Sequence, residues 1–245
     1  IYELAGPHAS VRVDVVKNAH AGGSAVRNTS CFTSPLPEVE PLPSGPMVAL
    51  TFDDGPNGKV TQKIVETLQA YGGKATFFMV GSRVSGDAET VRKVYESGSE
   101  IASHTYDHVS LTSLSAGGIA GQIQKTQQSI SQVVPASPVL LRPPYGAVNG
   151  AVQKNASLPL ILWSVDTMDW KHRNAAKTVQ AVLSSVQDGD IVLMHDLQAS
   201  TAVACETLIP ELKKRGYQLV TVSELLQSRG ISPQAGGVYR SAPPS

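Results

Sequence analysis

The chain has 245 residues, and its 20 Lys and Arg are balanced by 20 Asp and Glu. This length allows one large domain or two small ones with a sizeable core. Zero net charge argues against a nucleic-acid partner, because binding to a phosphate backbone needs a basic surface, and no apolar run reaches the roughly 18 residues of a membrane span.

The first 45 residues differ in composition from the rest of the chain. The stretch VRVDVV alternates like a short half-buried strand, and SPLPEVEPLPSGP carries five prolines, which is typical of an extended, semi-rigid segment. We therefore predict an N-terminal arm over 1–45 that packs on a domain over 46–230, followed by a C-terminal tail over 231–245.

The two cysteines bear on the cellular compartment. Cys31 and Cys205 are either two buried thiols or one disulfide bond, and a disulfide would indicate an oxidising compartment. We predict the disulfide, which would join the arm to a helix near residues 201–215. The chain begins with Ile1 and lacks a signal-peptide pattern, so we expect a processed or trimmed form.

From Met47 onward, apolar runs alternate with helical patterns. The runs that predict strands are MVALTF (47–52), ATFFMV (75–80), EIAS (100–103), PVLL (138–141), LPLILWSV (158–165), DIVLM (190–194) and YQLVTV (217–222). Nearly all their residues are apolar, as in strands covered on both faces. Between and after them, six stretches with apolar residues at helical spacing predict helices. Repeated strand–helix units predict an α/β fold with a parallel sheet, either a (β/α)7 barrel or a doubly wound open sheet.

Polar side chains follow the ends of five predicted strands. They are Asp53 and Asp54; His104 and His108; Arg142 and Tyr145; Asp166, Asp169 and Trp170; and His195 and Asp196. Parallel α/β folds form their sites at the carboxyl ends of the strands. We therefore predict one functional site at this end of the sheet.

Two histidines and a pair of carboxylates at these strand ends suggest a metal site. His104 and His108 can face one ion if the backbone between them is helical, and two surface histidines in a loop are the alternative. The Asp53–Asp54 pair offers a third ligand and a general base. Such a site leaves positions open for water and substrate, which is typical of a catalytic metal. Both carboxylates can reach it only at a turn, which Gly55-Pro56 indicates.

Three further residues could take part in chemistry at the same strand ends. Arg142 is either a surface residue or an ion-pair partner that orients a catalytic carboxylate. The rigid turn after it could direct the N–H of Tyr145 at a developing oxyanion. His195 is either a packing residue or a general acid, whose tautomer Asp169 or Asp166 could hold. The other histidines are interpreted as surface residues: His8, His20 and His172.

The order of the motifs TFDDGP, SHTYDH, RPPYG, DTMDW and IVLMHD resembles that of the NodB-homology polysaccharide deacetylases, carbohydrate esterase family 4, over roughly residues 47–225. The resemblance implies a distorted, TIM-like barrel of β/α units. It also implies one divalent metal ion, usually zinc, with cobalt or another divalent ion able to replace it. The matching metal ligands are Asp54, His104 and His108.

The resemblance also implies catalytic roles, residue by residue. Asp53 matches the general base, and Arg142 matches the arginine that tethers this base. His195 matches the general acid, and Asp169 matches the carboxylate paired with the acid. Tyr145 matches the residue whose backbone N–H helps to stabilise the oxyanion.

The substrate follows from the same resemblance. Trp170 and Leu193 match the apolar wall around the acetyl methyl group, and Pro143 of the RPPYG turn is assigned to substrate binding with them. We predict a metal-dependent deacetylase acting on N-acetylglucosamine polymers such as chitin, chitooligosaccharides or peptidoglycan. An O-acetyl xylan esterase and a non-catalytic carbohydrate-binding relative are the alternatives, and a metal phosphoesterase would usually need a second metal. We expect a monomer that is secreted or associated with the cell wall.

Overall fold

The computed structural model of the protein describes residues 45–244. The strands in this part of the chain are β1 Met47–Asp53, β2 Thr76–Met79, β3 Glu100–Ser103, β4 Leu160–Ile161, β5 Val165–Asp166, β6 Asp190–His195, β7 Gln218–Leu219 and β8 Val238–Tyr239. The α-helices are α1 Gly58–Ala70, α2 Gly81–Val84, α3 Ala88–Glu96, α4 Ala116–Ser131, α5 Gly150–Asn155, α6 Asp169–His172, α7 Ala175–Leu183, α8 Ala199–Lys214 and α9 Val222–Ser228. The predicted arm, apart from Gly45, lies outside the described residues.

The strands form a parallel sheet that curves into a distorted barrel. The hydrogen-bonded order is β3-β2-β1-β6-β5, and β7 pairs with the first two residues of β1. Single-residue bridges continue the sheet beyond β3, since Leu141 pairs with Ser103 on one side and with Leu160 of β4 on the other. β5 follows β4 directly and pairs with β6, so this stretch of chain links the two ends of the sheet. The predicted distorted barrel is confirmed, and the doubly wound alternative is not.

Some strands are shorter than the apolar runs that predict them. In the run 138–141 only Leu141 is bridged. Pairing does not continue beyond Arg142, because Pro143 and Pro144 have no N–H to donate to a ladder. The run 158–165 changes partner, since β4 pairs with β8 while β5 pairs with β6. Local hydrophobicity therefore identifies buried chain but does not give the length over which it stays paired.

The six predicted helices are present as α1, α3, α4, α7, α8 and α9. Helix α1 shows the local reasons, because it buries Ile64 and Leu68 on one face and the side chain of Asn57 caps its first turn by accepting from the N–H of Val60. Helix α9 begins with a capping box between Thr221 and Glu224. The short helices α2, α5 and α6 are additional.

The C-terminal segment is integrated into the barrel as far as the structure describes it, in contrast to the predicted tail. Strand β8 pairs in parallel with β4. Ala242 is fully buried, and its N–H donates to the carbonyl of Gly189 at 2.8 Å. These partners are distant in sequence, which explains why no local pattern indicates the pairing.

Cys205 lies in helix α8, is fully buried and forms no disulfide with any residue between 45 and 244. It belongs to the apolar cluster that α1 and α8 form against the sheet, so a core role accounts for it, and burial raises the pKa of the thiol. The predicted Cys31–Cys205 disulfide is not confirmed, and Cys31 lies outside the described residues. Between residues 45 and 244, no helix combines the length and apolar character needed to cross a membrane.

Candidate active site

The two central strands end in the side chains of Asp53 and His195. These residues are direct partners in the parallel register of β1 and β6. Alternate side chains of a strand share a face, and on these strands Ala49 and Ile191 pack in the interior cluster of the barrel. Asp53 and His195 have the same parity as Ala49 and Ile191, respectively, so both face the interior at the carboxyl end of the sheet.

The chain turns directly after β1, as the sequence requires for two neighbouring carboxylates to reach one site. Asp54 has a left-handed φ of +77°, which redirects its side chain toward the loop after β3. Its Oδ1 lies 3.4 Å from Nε2 of His104 and 3.0 Å from Nε2 of His108. The three residues form the one cluster of potential metal ligands found among the described residues.

The chemistry of this cluster fits a divalent cation. The Nδ1–H of His104 donates to the carbonyl of Arg142 at 2.8 Å, which orients the ring so that its Nε2 is directed at Asp54. The buried Oδ1 of Asp54 has no hydrogen-bond partner among the described residues. Burial alone would raise the pKa of Asp54, but the two histidines outweigh burial and hold that pKa far below its usual range. An anionic oxygen facing two imidazole nitrogens is a suitable three-ligand set for such an ion.

The two histidines meet through a loop and not through a helix. The backbone from His104 to His108 is irregular, and Thr105 and His108 both have left-handed φ angles, of +65° and +55°. The backbone between His104 and His108 is therefore not helical, although the spacing of the two histidines suggested a helix as the way for both to face one ion. Left-handed φ in non-glycine residues is unfavourable, and the surrounding contacts hold these residues in it.

Asp53 is held by a buried arginine. The guanidinium of Arg142 is fully buried, and its Nη1 donates to Oδ1 of Asp53 and to Oγ1 of Thr51, each at 2.7 Å. Its other nitrogens donate to the carbonyls of Ile161 and Leu162 at 3.1 Å. Arg142 is therefore a fixed ion-pair partner of Asp53 and not a surface residue.

His195 is held by a buried aspartate. Its Nδ1 lies 2.8 Å from Oδ1 of Asp169, and its backbone N–H donates to Oδ2 of the same carboxylate at 2.8 Å. Burial alone would lower the pKa of His195, but the hydrogen bond to Asp169 and the charges of Asp53, Asp169 and Asp54 raise it to about 9. Asp166 makes no hydrogen bond to His195, and its Oδ1 accepts from the N–H of Met168.

These groups surround a cavity of about 420 Å³. Nine of its lining residues are candidates that the sequence or the family resemblance indicates, and they are Asp53, Asp54, His104, His108, Tyr145, Asp166, Trp170, Leu193 and His195. Gly146 and Trp163 complete the lining. Pro143 is buried and does not line the cavity, whereas Tyr145 and Gly146 of the same turn do. The assignment of Pro143 to substrate binding is therefore not supported.

Several residues that support the site are not indicated by any sequence pattern. Thr201 donates to Oδ2 of Asp169 at 2.6 Å. His172, which was interpreted as a surface residue, bonds at both ends of the short helix that carries Asp169, because its Nε2 lies 2.9 Å from the carbonyl of Thr167 and its Nδ1 accepts from the N–H of Asn174 at 3.1 Å. No local signal distinguishes these side chains from ordinary loop residues.

Asp196 is a third such residue, and it lies close to the centre of the site. It is fully buried, and burial together with the charges of Asp54 and Asp53 raises its pKa to about 7. The sequence placed it at the correct strand end but assigned it no role.

A parallel β/α barrel that carries a three-residue candidate metal centre and two buried ion pairs at its strand ends has the arrangement of an enzyme active site. A sequence model described as polysaccharide deacetylase matches residues 42–160. The chain is 44% identical over 190 residues to the peptidoglycan-N-acetylglucosamine deacetylase PgdA of Listeria monocytogenes, an alignment that covers 78% of this chain and 41% of that protein. This chain therefore spans less than half the length of that relative.

Solved structures agree with this assignment. Peptidoglycan deacetylase PdaC from Bacillus subtilis superimposes with a TM-score of 0.74 at 40% identity, covering 76% of this chain and 93% of that chain. A family 4 acetyl xylan esterase from Clostridium thermocellum in complex with a cobalt ion superimposes with a TM-score of 0.76 at 33% identity, covering 80% and 99% of the two chains. The chain belongs to the polysaccharide deacetylase family, carbohydrate esterase family 4.

Proposed function

We propose that this protein is a metal-dependent deacetylase that hydrolyses N-acetyl groups of an N-acetylglucosamine-containing polysaccharide. One observation carries the proposal: a carboxylate fixed by Arg142 and an imidazole fixed by Asp169 face the same cavity, beside the Asp54–His104–His108 cluster. A base and an acid on one cavity with a metal centre beside them can together hydrolyse an acyl bond. The names of the two deacetylase relatives favour peptidoglycan as the polymer over chitin.

The metal centre would be formed by Asp54, His104 and His108, and we propose zinc as the ion. When bound, a divalent ion there supplies a Lewis acid that polarises the acetyl carbonyl and favours deprotonation of the attacking water. Asp53 is not a member of this ligand cluster, so the second carboxylate of the pair is available for proton transfer.

Asp53 would accept the proton of the attacking water as the new carbon–oxygen bond forms. Arg142 holds the carboxylate in one orientation, because the guanidinium is itself fixed by two carbonyls and Thr51. A base held in this way has little freedom to turn away from the water, which is the geometric requirement for general base catalysis.

His195 would donate a proton to the leaving nitrogen as the carbon–nitrogen bond breaks, which yields acetate and a free amine. With its pKa raised to about 9, the imidazole is protonated at neutral pH and can act as the acid. The Nδ1 is engaged by Asp169, so Nε2–H is the proton available to the substrate.

The cavity walls are suited to an acetamido group. Leu193 and the half-exposed Trp170 supply apolar surface for the methyl group. Tyr145 has a left-handed φ of +63° at the rim, and we propose that its backbone N–H supports the developing oxyanion. We further propose that the protein acts as a monomer, outside the cell at the wall polymer.

One specific observation keeps an ester substrate in consideration. The acetyl xylan esterase noted above shares the fold at 33% identity, and the same base, acid and metal centre can cleave an ester. The non-catalytic alternative has less support, because a pseudoenzyme of this kind would be expected to have lost a base, metal or acid position, and here all of them are present.

Acetate release tests the proposal directly. The metal-free protein reconstituted with zinc is incubated with peptidoglycan, chitooligosaccharides and acetylated xylan, with Asp53→Asn as the matched inactive control. We expect release from the N-acetylglucosamine substrates that stops on chelation and is absent in the variant. Release from acetylated xylan alone would show that the substrate bond is an ester and not an amide. No release from any of the substrates would refute catalysis.

A further inference from the structure

The fully buried carboxyl group of Asp196 occupies the space beside Gly55, in the turn that follows the two active-site aspartates. A Cβ atom placed on Gly55 would lie 2.3 Å from Oδ2 and 2.6 Å from Oδ1 of Asp196, which is far closer than such atoms approach. The carboxyl group therefore packs directly against the backbone of this turn. This close approach explains why position 55 carries glycine.

Asp196 also connects the turn to its surroundings by hydrogen bonds. Thr61 of helix α1 donates from Oγ1 to Oδ2 of Asp196, and the N–H of Asn57 donates to Oγ1 of Thr61 at 2.9 Å. The backbone N–H of Asp196 donates to the carbonyl of Asp53 at 3.3 Å. The residue after the acid candidate His195 is thereby bonded to both ends of the segment 53–57.

This turn needs support because its backbone is unfavourable. Asp54 has a left-handed φ of +77°, and from outside it is held by Nη1 of Arg83, which donates to the carbonyl of Asp54 at 2.6 Å. Arg83 is exposed, so solvent competes with that bond. Asp196 and Thr61 are each fully buried and hold the turn from inside the barrel.

We propose that Asp196 is a positioning residue that fixes the Asp53–Gly55 turn against the end of β6, and with it the metal ligand Asp54. The proposal deepens the proposed function and rests on it for its kinetic consequence only. Its effect on the metal ligand is independent of any reaction.

The main test measures zinc affinity by chelator competition on metal-free protein, together with kcat, KM and Tm. Asp196→Ala should weaken zinc binding by about 10-fold, as loss of a supporting residue does, and lower kcat while KM changes little. Asp196→Asn keeps the volume and an acceptor oxygen for Thr61, so it should stay within about 3-fold of the wild type in zinc affinity.

Two threonine variants make the test independent of folding defects at Asp196. Thr61→Val removes the connecting hydroxyl at constant volume and should weaken zinc binding in the same direction, whereas Thr61→Ser should restore it. The matched control is Thr178→Val, because Thr178 is also fully buried but its hydroxyl bonds only to the carbonyl of Asn174 in its own helix region. That variant should lower Tm without changing zinc affinity.

The outcomes separate the two proposals. Unchanged zinc affinity and kcat in both Asp196→Ala and Thr61→Val would overturn the positioning role, as would losses that Thr178→Val reproduces. A wild-type protein that binds zinc but releases no acetate from any substrate would refute the proposed function. The zinc affinities of the variants would still decide the role of Asp196 in that case.

Discussion

Replacement of Asp169 by asparagine tests how the protein sets the protonation of His195. The carboxylate of Asp169 is fully buried and accepts four hydrogen bonds, two at each oxygen. Oδ1 accepts from the imidazole of His195 and the N–H of Trp170, and Oδ2 accepts from the N–H of His195 and the hydroxyl of Thr201. An asparagine fits the volume but turns one of these acceptors into a donor.

The least costly placement puts the amide nitrogen at the Oδ2 position. There the hydroxyl of Thr201 can rotate to accept, and only the bond from the N–H of His195 is lost, while the imidazole keeps its acceptor. We expect a stability loss of about 1–3 kcal/mol, which is typical of one unsatisfied buried donor. The protein should therefore fold, and the tautomer of His195 should be preserved.

The main effect of Asp169→Asn should be on the pKa of His195. This pKa is raised to about 9 largely by the bond to Asp169 and by nearby carboxylate charges. Loss of one opposite charge at hydrogen-bond distance lowers such a pKa by about 1–3 units, or roughly 1.4–4 kcal/mol. Because protonated His195 is the proposed acid, activity is lost as pH rises through this pKa. The alkaline limb of the kcat profile should therefore move to lower pH.

The same shift should appear in stability without any reaction. A histidine with a raised pKa stabilises the fold below its unfolded value of 6.5, and this contribution, about 3 kcal/mol, is lost as pH rises toward 9. In metal-free protein, the free energy of unfolding in urea should therefore fall more steeply over this range in the wild type than in Asp169→Asn. Asp166→Asn is the control, since Asp166 lines the same cavity but does not bond to His195. Identical profiles for the wild type and Asp169→Asn would refute the reasoning.

Three further predictions concern individual groups. Measurements of metal content should show that Asp54→Ala loses the divalent ion and that Asp53→Asn keeps it. Acetate release should show that Asp53→Asn loses most turnover. Metal loss in Asp53→Asn would instead make Asp53 the metal ligand and Asp54 the base. His195→Ala should lower turnover of an N-acetyl sugar by about 10²–10⁴-fold. Turnover of an activated phenyl acetate should fall far less, because a good leaving group needs little protonation. Equal losses on both substrates would contradict the assignment of His195 as the acid. His172→Ala should lower the free energy of unfolding by about 1–3 kcal/mol, because two hydrogen bonds are lost. It should also lower kcat at unchanged metal content. An unchanged kcat per folded molecule would mean that His172 only contributes to packing.

The order of strands and helices was predictable because each carries its own local pattern. Helix α1 shows this, with apolar residues on one face and Asn57 as its cap. The positions at which the strands end were equally predictable, because the buried apolar runs stop at polar residues such as Asp53 and His195. The roles assigned to these residues remain predictions, although the structure brings them around one cavity.

Features that depend on contacts between distant segments were not predictable in this way. Strand β8 forms only because β4 offers it an edge, and the sequence around Val238 shows no strand pattern. The packing of Asp196 against Gly55 joins residues at the ends of β1 and β6, and nothing near either position indicates the other. The sequence around Arg142 does not indicate complete burial, because its burial depends on the carbonyls of Ile161 and Leu162 and on Asp53.

The register of the sheet explains why base and acid can be held more firmly than the metal ligands. Asp53 and His195 are paired on adjacent parallel strands, so their backbones are separated by one strand spacing of about 4.8 Å, and each side chain is then fixed by one buried ion pair. The metal ligands Asp54 and His108 instead lie in turns with left-handed φ. Small shifts of those turns change the distances among the three ligands while leaving the separation of base and acid intact. Support for the turns from neighbouring buried groups is therefore expected to matter more for metal affinity than for proton transfer.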